Sequence, residues 1–126
     1  MFLLLWLYGG EPRHRELAEA AIRSAGSVAA RYPQAAGHTL AVAHSLTRGP
    51  RQVAVVGVQP AALARVVWEQ YRPHVAVAMS ADGTGGDTVP LLADRHVPGS
   101  TLAYVCEGFV CRLPTGDADG LRSQLA

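Results

Sequence analysis

The run from Gln52 to Met79 constrains the fold more than any other part of the chain. "QVAVVG" is a short, β-branched apolar segment ending in Gly57, the mark of a buried strand. "QPAALARVVWEQY" follows, with Pro60 near a helix start and Leu63, Val66, Val67 and Tyr71 on one face. "HVAVAM" then repeats the buried-strand pattern. Two strands joined by a helix within ~30 residues form a βαβ unit, expected to be parallel with a right-handed crossover. The rest of the chain has to be arranged around that unit.

Downstream, "SADGTGGDT" reads as a loop and "VPLLADR" as at most a turn or two of helix. "TLAYVCEGFVCRLP" gives two strands joined by a turn around Glu107-Gly108, so the sheet is expected to be mixed. Thr115 or Asp117 is placed to cap a last helix running through Leu125.

Upstream the pattern is helical. "MFLLLWLYGGEPRHRELAEA" opens with the apolar run Phe2 to Tyr8, and its first Arg, Arg13, comes after that run. A signal peptide needs positive charge before its apolar segment, and a membrane helix needs about 20 apolar residues, so neither secretion nor a membrane anchor is expected. Gly9-Gly10 reads as a helix stop, Glu11 as a weak N-cap and Pro12 as the first residue of the next helix. Leu17, Ala21, Ala25 and Val28 fall on one face at helical spacing. A further helix is expected from about Ala35 to Leu46, with Leu40, Ala43 and Leu46 or Thr47 inward, before the breaker Arg48-Gly49-Pro50. Residues 1–50 thus form a helical segment and residues 51–126 a small α/β subdomain. The helical segment holds few large side chains, so its apolar faces are expected to meet partners outside this chain, or copies of itself.

Composition narrows the functions. The 126 residues have room for one compact core, and 49% of them are hydrophobic against 17% charged, which excludes a disordered tail. A net charge of +1 supplies no field to gather nucleic acid or an acidic membrane. All 11 basic residues are Arg, a coding bias of a GC-rich genome, and the lack of Lys removes Schiff-base chemistry.

Few residues carry candidate chemistry. Cys106 and Cys111, the only cysteines, stand at C-x4-C spacing across the expected hairpin, near enough to bridge if their Cβ vectors agree. They are a candidate redox pair, weighed against inert thiols packed as small hydrophobes. His74 and His96 do not complete a zinc pattern with them, so no metal is assigned. "DGTGGD", residues 82–87, is a candidate phosphate loop but matches neither dinucleotide nor Walker patterns, and it reads better as a turn. Gly57 before "VQPAAL" admits a nucleotide at a helix start, yet no acidic ribose ligand follows, so no cofactor is assigned. "DADG", Asp117 to Gly120, reads as helix capping, because no twelfth-position glutamate follows to complete a calcium loop. His14, His38 and His44 have no Ser or Cys in triad order beside them, and no catalytic residue is assigned.

"AYVCEGFVCRLPTGDADGLRSQL", together with "VAVVG", "YRPHVAVA" and "VPLLADR", resembles the C-terminal end of the large thioredoxin-domain-containing proteins typified by spermatogenesis-associated protein 20. The most specific element comprises Tyr104, Val105, Cys106, Cys111, Leu113, Pro114 and Thr115; Gly116 and Gly120 depart from the family pattern. The resemblance implies an order of thioredoxin-like domain, then an α/α toroid similar to sugar epimerases and six-hairpin glycosidases, then this terminal α/β piece. Residues 1–50 would be the remnant of a toroid hairpin, and Met1 an internal or misassigned start. The implied partners are the upstream toroid and thioredoxin-like domains of the same cytoplasmic protein. No independent catalysis is expected of this chain. The alternatives are a redox-active dithiol at Cys106 and Cys111, or part of a carbohydrate-modifying enzyme.

Overall fold

A computed structural model describes residues 1–126, with five helices and a four-stranded mixed sheet in an α+β arrangement. The elements run α1 (Phe2–Gly9), α2 (Pro12–Arg31), α3 (Gly37–Arg48), β1 (Arg51–Val56), α4 (Pro60–Trp68), β2 (Val75–Ser80), β3 (Leu102–Glu107), β4 (Val110–Cys111) and α5 (Ala118–Leu125), with a single 3-10 turn at Pro90–Leu92. The strand order is β2-β1-β3-β4. β1 runs parallel to β2, as the βαβ pattern requires, and antiparallel to β3, which in turn pairs with β4 through the hairpin.

Both faces of β1 are covered, which is why its sequence is a continuous apolar run rather than an alternation. On one face Val53, Val55, Ala103 and Val105 pack under α4 and α5 through Leu63, Ala64, Val66, Val67, Leu121 and Leu125. On the other, Ala54, Val56 and Ala78 meet Leu91 and Leu92 of the 3-10 turn, while Ala76 meets Leu3, Trp6 and Leu7 of α1. The small alanines let α1 approach the sheet, and α2 crosses α1 where Ala18 joins the same cluster.

Local chemistry sets the element ends. Gly10 ends α1 in the left-handed conformation at φ 75°, and Pro12 opens α2. Asp117 caps α5, its carboxylate accepting the Gly120 N–H at 2.7 Å. Gly57, at φ 141°, lies where a Cβ would collide with the Ser100 carbonyl oxygen and Thr101, so only glycine lets that segment cross the end of β1.

Three expectations are corrected. The inward stripe of α2 buries Ala18 and Ala29, and Leu17 and Val28 stand exposed, so the face is turned about one residue from the one expected. In α3 the buried residue is Ser45, with Val42 and Leu46 packed on the α1 cluster, and Leu40 points outward. Tyr71 falls beyond the end of α4 and is 91% exposed, whereas Leu63, Ala64, Val66 and Val67 are the buried face. In the two upstream helices the apolar residues are mostly small and scattered around the helix, so several faces are nearly equal in hydrophobicity and the bulk of Trp6 and Leu7 selects among them. In α4 the helix simply stops too early for Tyr71 to share its face.

Candidate functional site

The candidate site is the β3–β4 hairpin and the segment that crosses it. β3 alternates, so Ala103, Val105 and Glu107 face α4 and α5, and Leu102, Tyr104 and Cys106 face the α1 side. Cys106 pairs directly with Cys111 across the hairpin, and the two sulfurs are joined as a disulfide with Cα atoms 3.9 Å apart. Gly108 and Phe109, at φ 57° and 67°, form the two-residue turn, the twist that a tight hairpin needs. Phe109 carries a conformation unusual for a large side chain. It is held there by its N–H, which donates to Gln52 Oε1 at 3.0 Å, and by its ring, which lies against Gly10.

The two sulfurs differ in environment. Cys106 is 1% exposed, while Cys111 is half-buried. Arg95 reaches over the hairpin from the loop after the 3-10 turn, and its Nη2 donates to Cys111 Sγ at 3.2 Å. Three contacts hold this residue, two through its side chain and one through its backbone carbonyl. Its Nε donates to the Leu91 carbonyl at 2.6 Å, its guanidinium sits 4.9 Å from the centre of the Tyr104 ring, and the Tyr104 hydroxyl donates to the Arg95 carbonyl at 3.0 Å. Partial burial holds the Arg95 guanidinium below its ordinary pKa, with the Tyr104 hydroxyl acting in the opposite direction. The sequence reading missed Arg95. It lies 16 residues from Cys111, and its only sequence signal is a charged residue inside the turn-rich "LLADRHVPG".

The remaining candidates fall elsewhere. In "DGTGGD" the Asp82 carboxylate turns inward to its own loop, accepting from Thr84 N–H at 3.0 Å, Thr84 Oγ1 at 2.7 Å and Ser80 Oγ at 3.2 Å. Those bonds, led by the Thr84 hydroxyl, hold its pKa below the usual carboxylate range. At the start of α4, Ser100 and Thr101 cover Gly57 and Thr101 Oγ1 accepts the Gln59 N–H, so protein occupies the ground a phosphate would need. His74 packs edge-on to His44 with ring centres 4.8 Å apart, whereas His96 lies against Gly83. No group of three or more His, Cys, Asp or Glu side chains is arranged to hold a metal ion. A basic cleft next to His74 contains Arg48, Arg51 and Arg72. Arg51 binds Glu107 and the last carbonyls of α5, and Arg72 binds the Val67 carbonyl and Gln70, so most of that charge is already engaged.

No protein-family model, curated protein or solved structure matches the chain. No helix is long and apolar enough to cross a membrane.

Proposed function

We propose that the chain is the C-terminal structural portion of a cytoplasmic multidomain protein of the thioredoxin-domain-containing family typified by spermatogenesis-associated protein 20, and that it docks on the upstream α/α toroid through its helical layer. The supporting observation is the outer surface of that layer. Of the 20 residues of α2 only Ala18 and Ala29 are buried, and α1 leaves Phe2, Leu4 and Leu5 exposed beside a groove formed by Leu3, Ala21, Ile22 and Val42. Apolar area of this kind on three adjacent helices is what a further helical layer covers. The test is the intact mass of the native protein, isolated from its source cell with an antibody raised against residues 100–126. A mass several times 13.3 kDa is expected, and a mass near 13.3 kDa overturns the reading.

A second reading has its own observation. One cysteine of the disulfide, Cys111, is half-buried and its sulfur accepts a hydrogen bond from a guanidinium, which supports a role in exchange, since in a reducing compartment such bonds are characteristically transient, either catalytic or redox-sensing. On this reading Cys106 and Cys111 form a redox-active dithiol.

A further inference from the structure

We propose that Cys111 is the sulfur at which thiol–disulfide exchange enters this chain, and that Arg95 is a positioning residue that keeps Cys111 as a thiolate once its bond to Cys106 is broken. The inference rests on the redox reading and deepens it.

Access decides which sulfur reacts. Cys106 is sealed at 1% exposure, and Cys111, half-buried, is the more accessible residue of the pair. In the oxidised chain an external thiolate attacks Cys111 Sγ, and the Cys106 sulfur leaves with the bonding pair and takes up a proton. A second thiol of the same external dithiol then attacks the mixed disulfide. The external dithiol is thereby oxidised, and Cys111 leaves as the thiolate. In the reverse direction the Cys111 thiolate attacks an external disulfide and expels one thiolate; Cys106 then loses its proton, attacks Cys111 Sγ and expels the other. Each direction transfers two electrons, and the co-reactant is a dithiol or a disulfide.

Charge decides the form in which Cys111 waits. None of the five ion pairs of the chain includes Arg95. Its partly buried guanidinium is satisfied by one carbonyl, one aromatic ring and Cys111 Sγ, so a thiolate on Cys111 supplies the counter-ion the site otherwise lacks. The other titratable groups nearby are engaged or turned away. Tyr104 shares the face and is bonded to the Arg95 carbonyl, and Tyr8 of α1 is bonded to the Val77 carbonyl. Glu107 and Arg112 alternate to the opposite face, where Glu107 binds Arg51 and Arg112 binds the Gln124 carbonyl. Asp94, next to Arg95 in sequence, is exposed and forms no ion pair.

The experiment is alkylation with iodoacetamide after reduction by a phosphine, followed across the pH range with each modified cysteine located by mass spectrometry. Cys111 is expected to react first, with a midpoint at least about one pH unit below the ordinary thiol value of ~8.5. R95Q is expected to raise that midpoint, and R95K, which keeps the charge, to restore part of the drop. Faster reaction at Cys106, or a Cys111 midpoint near the ordinary value, overturns the proposal in the wild-type protein alone, whether or not the variants fold. An unchanged midpoint in folded R95Q overturns the role of Arg95. A free-thiol count made before reduction separates the two levels: two free thiols under oxidising conditions would sink the redox reading, and the alkylation order still decides which thiol is activated.

Discussion

Gln52 lies in the middle strand with no exposed surface, a position where an amide persists only if every polar atom is answered. Its Nε2 donates to the Leu7 carbonyl at 2.8 Å and its Oε1 accepts the Phe109 N–H at 3.0 Å, so one side chain bonds both the first helix and the hairpin turn. Replacing it with leucine keeps the volume roughly constant but orphans both backbone groups. Q52L is expected to lower stability by roughly 1–3 kcal/mol, read as a shift in the urea midpoint at unchanged slope. The amide was not legible as a joint in the sequence, where it reads only as the first residue of an apolar strand. Arg95 was hidden for the same reason: both residues act through partners far away along the chain. Cys106 and Cys111 were legible as near neighbours across a hairpin, but their direct pairing was not, because the turn falls at Gly108-Phe109, one residue later than the expected Glu107-Gly108, and the Gln52 bond that holds Phe109 there is long-range.

At the scale of elements, the short strands and the α4 crossover could be read directly, since β-branched runs bounded by glycine and proline admit few other structures. The faces of α2 and α3 could not. Their small, scattered apolar residues leave the choice of inward face to the large residues of α1, which a one-dimensional pattern does not locate. The docking of α3 against the end of β2 also carries a pH dependence. His74 precedes β2 and meets His44 and Arg48 of α3; burial, then these two neighbours, hold its pKa below the ordinary 6.5, and its Nδ1 is buried without a partner. The unfolded chain therefore binds this proton more readily than the folded one. The contribution of His74 is fully present above about pH 6.5 and is lost as pH falls through the lower folded value. Thermal melts taken between about pH 7 and pH 5 should show a decline that H74Q reduces, with little change between the two proteins above pH 7.

At the scale of the molecule, the sheet has a thick cover of α4 and α5 on one side and a thinner one of α1 and the 3-10 turn on the other, with α2 and α3 outside it. The leucines of α1, 54% exposed at Leu4 and 42% at Leu5, form an uncovered apolar surface through which we propose that the isolated chain associates with itself. Sedimentation of the wild-type chain at rising concentration is expected to show oligomers that the double substitution L4E/L5E suppresses without loss of helical signal. Equal association in both proteins would remove α1 from the contact surface. Through Gln52 and Phe109 this outer layer is also joined to the bridged hairpin, and thermodynamic linkage works in both directions. If opening the disulfide weakens the seat of α1 by some factor, a domain resting on that helix must shift the reduction equilibrium of the disulfide by the same factor, so the occupancy of one surface is readable at the other.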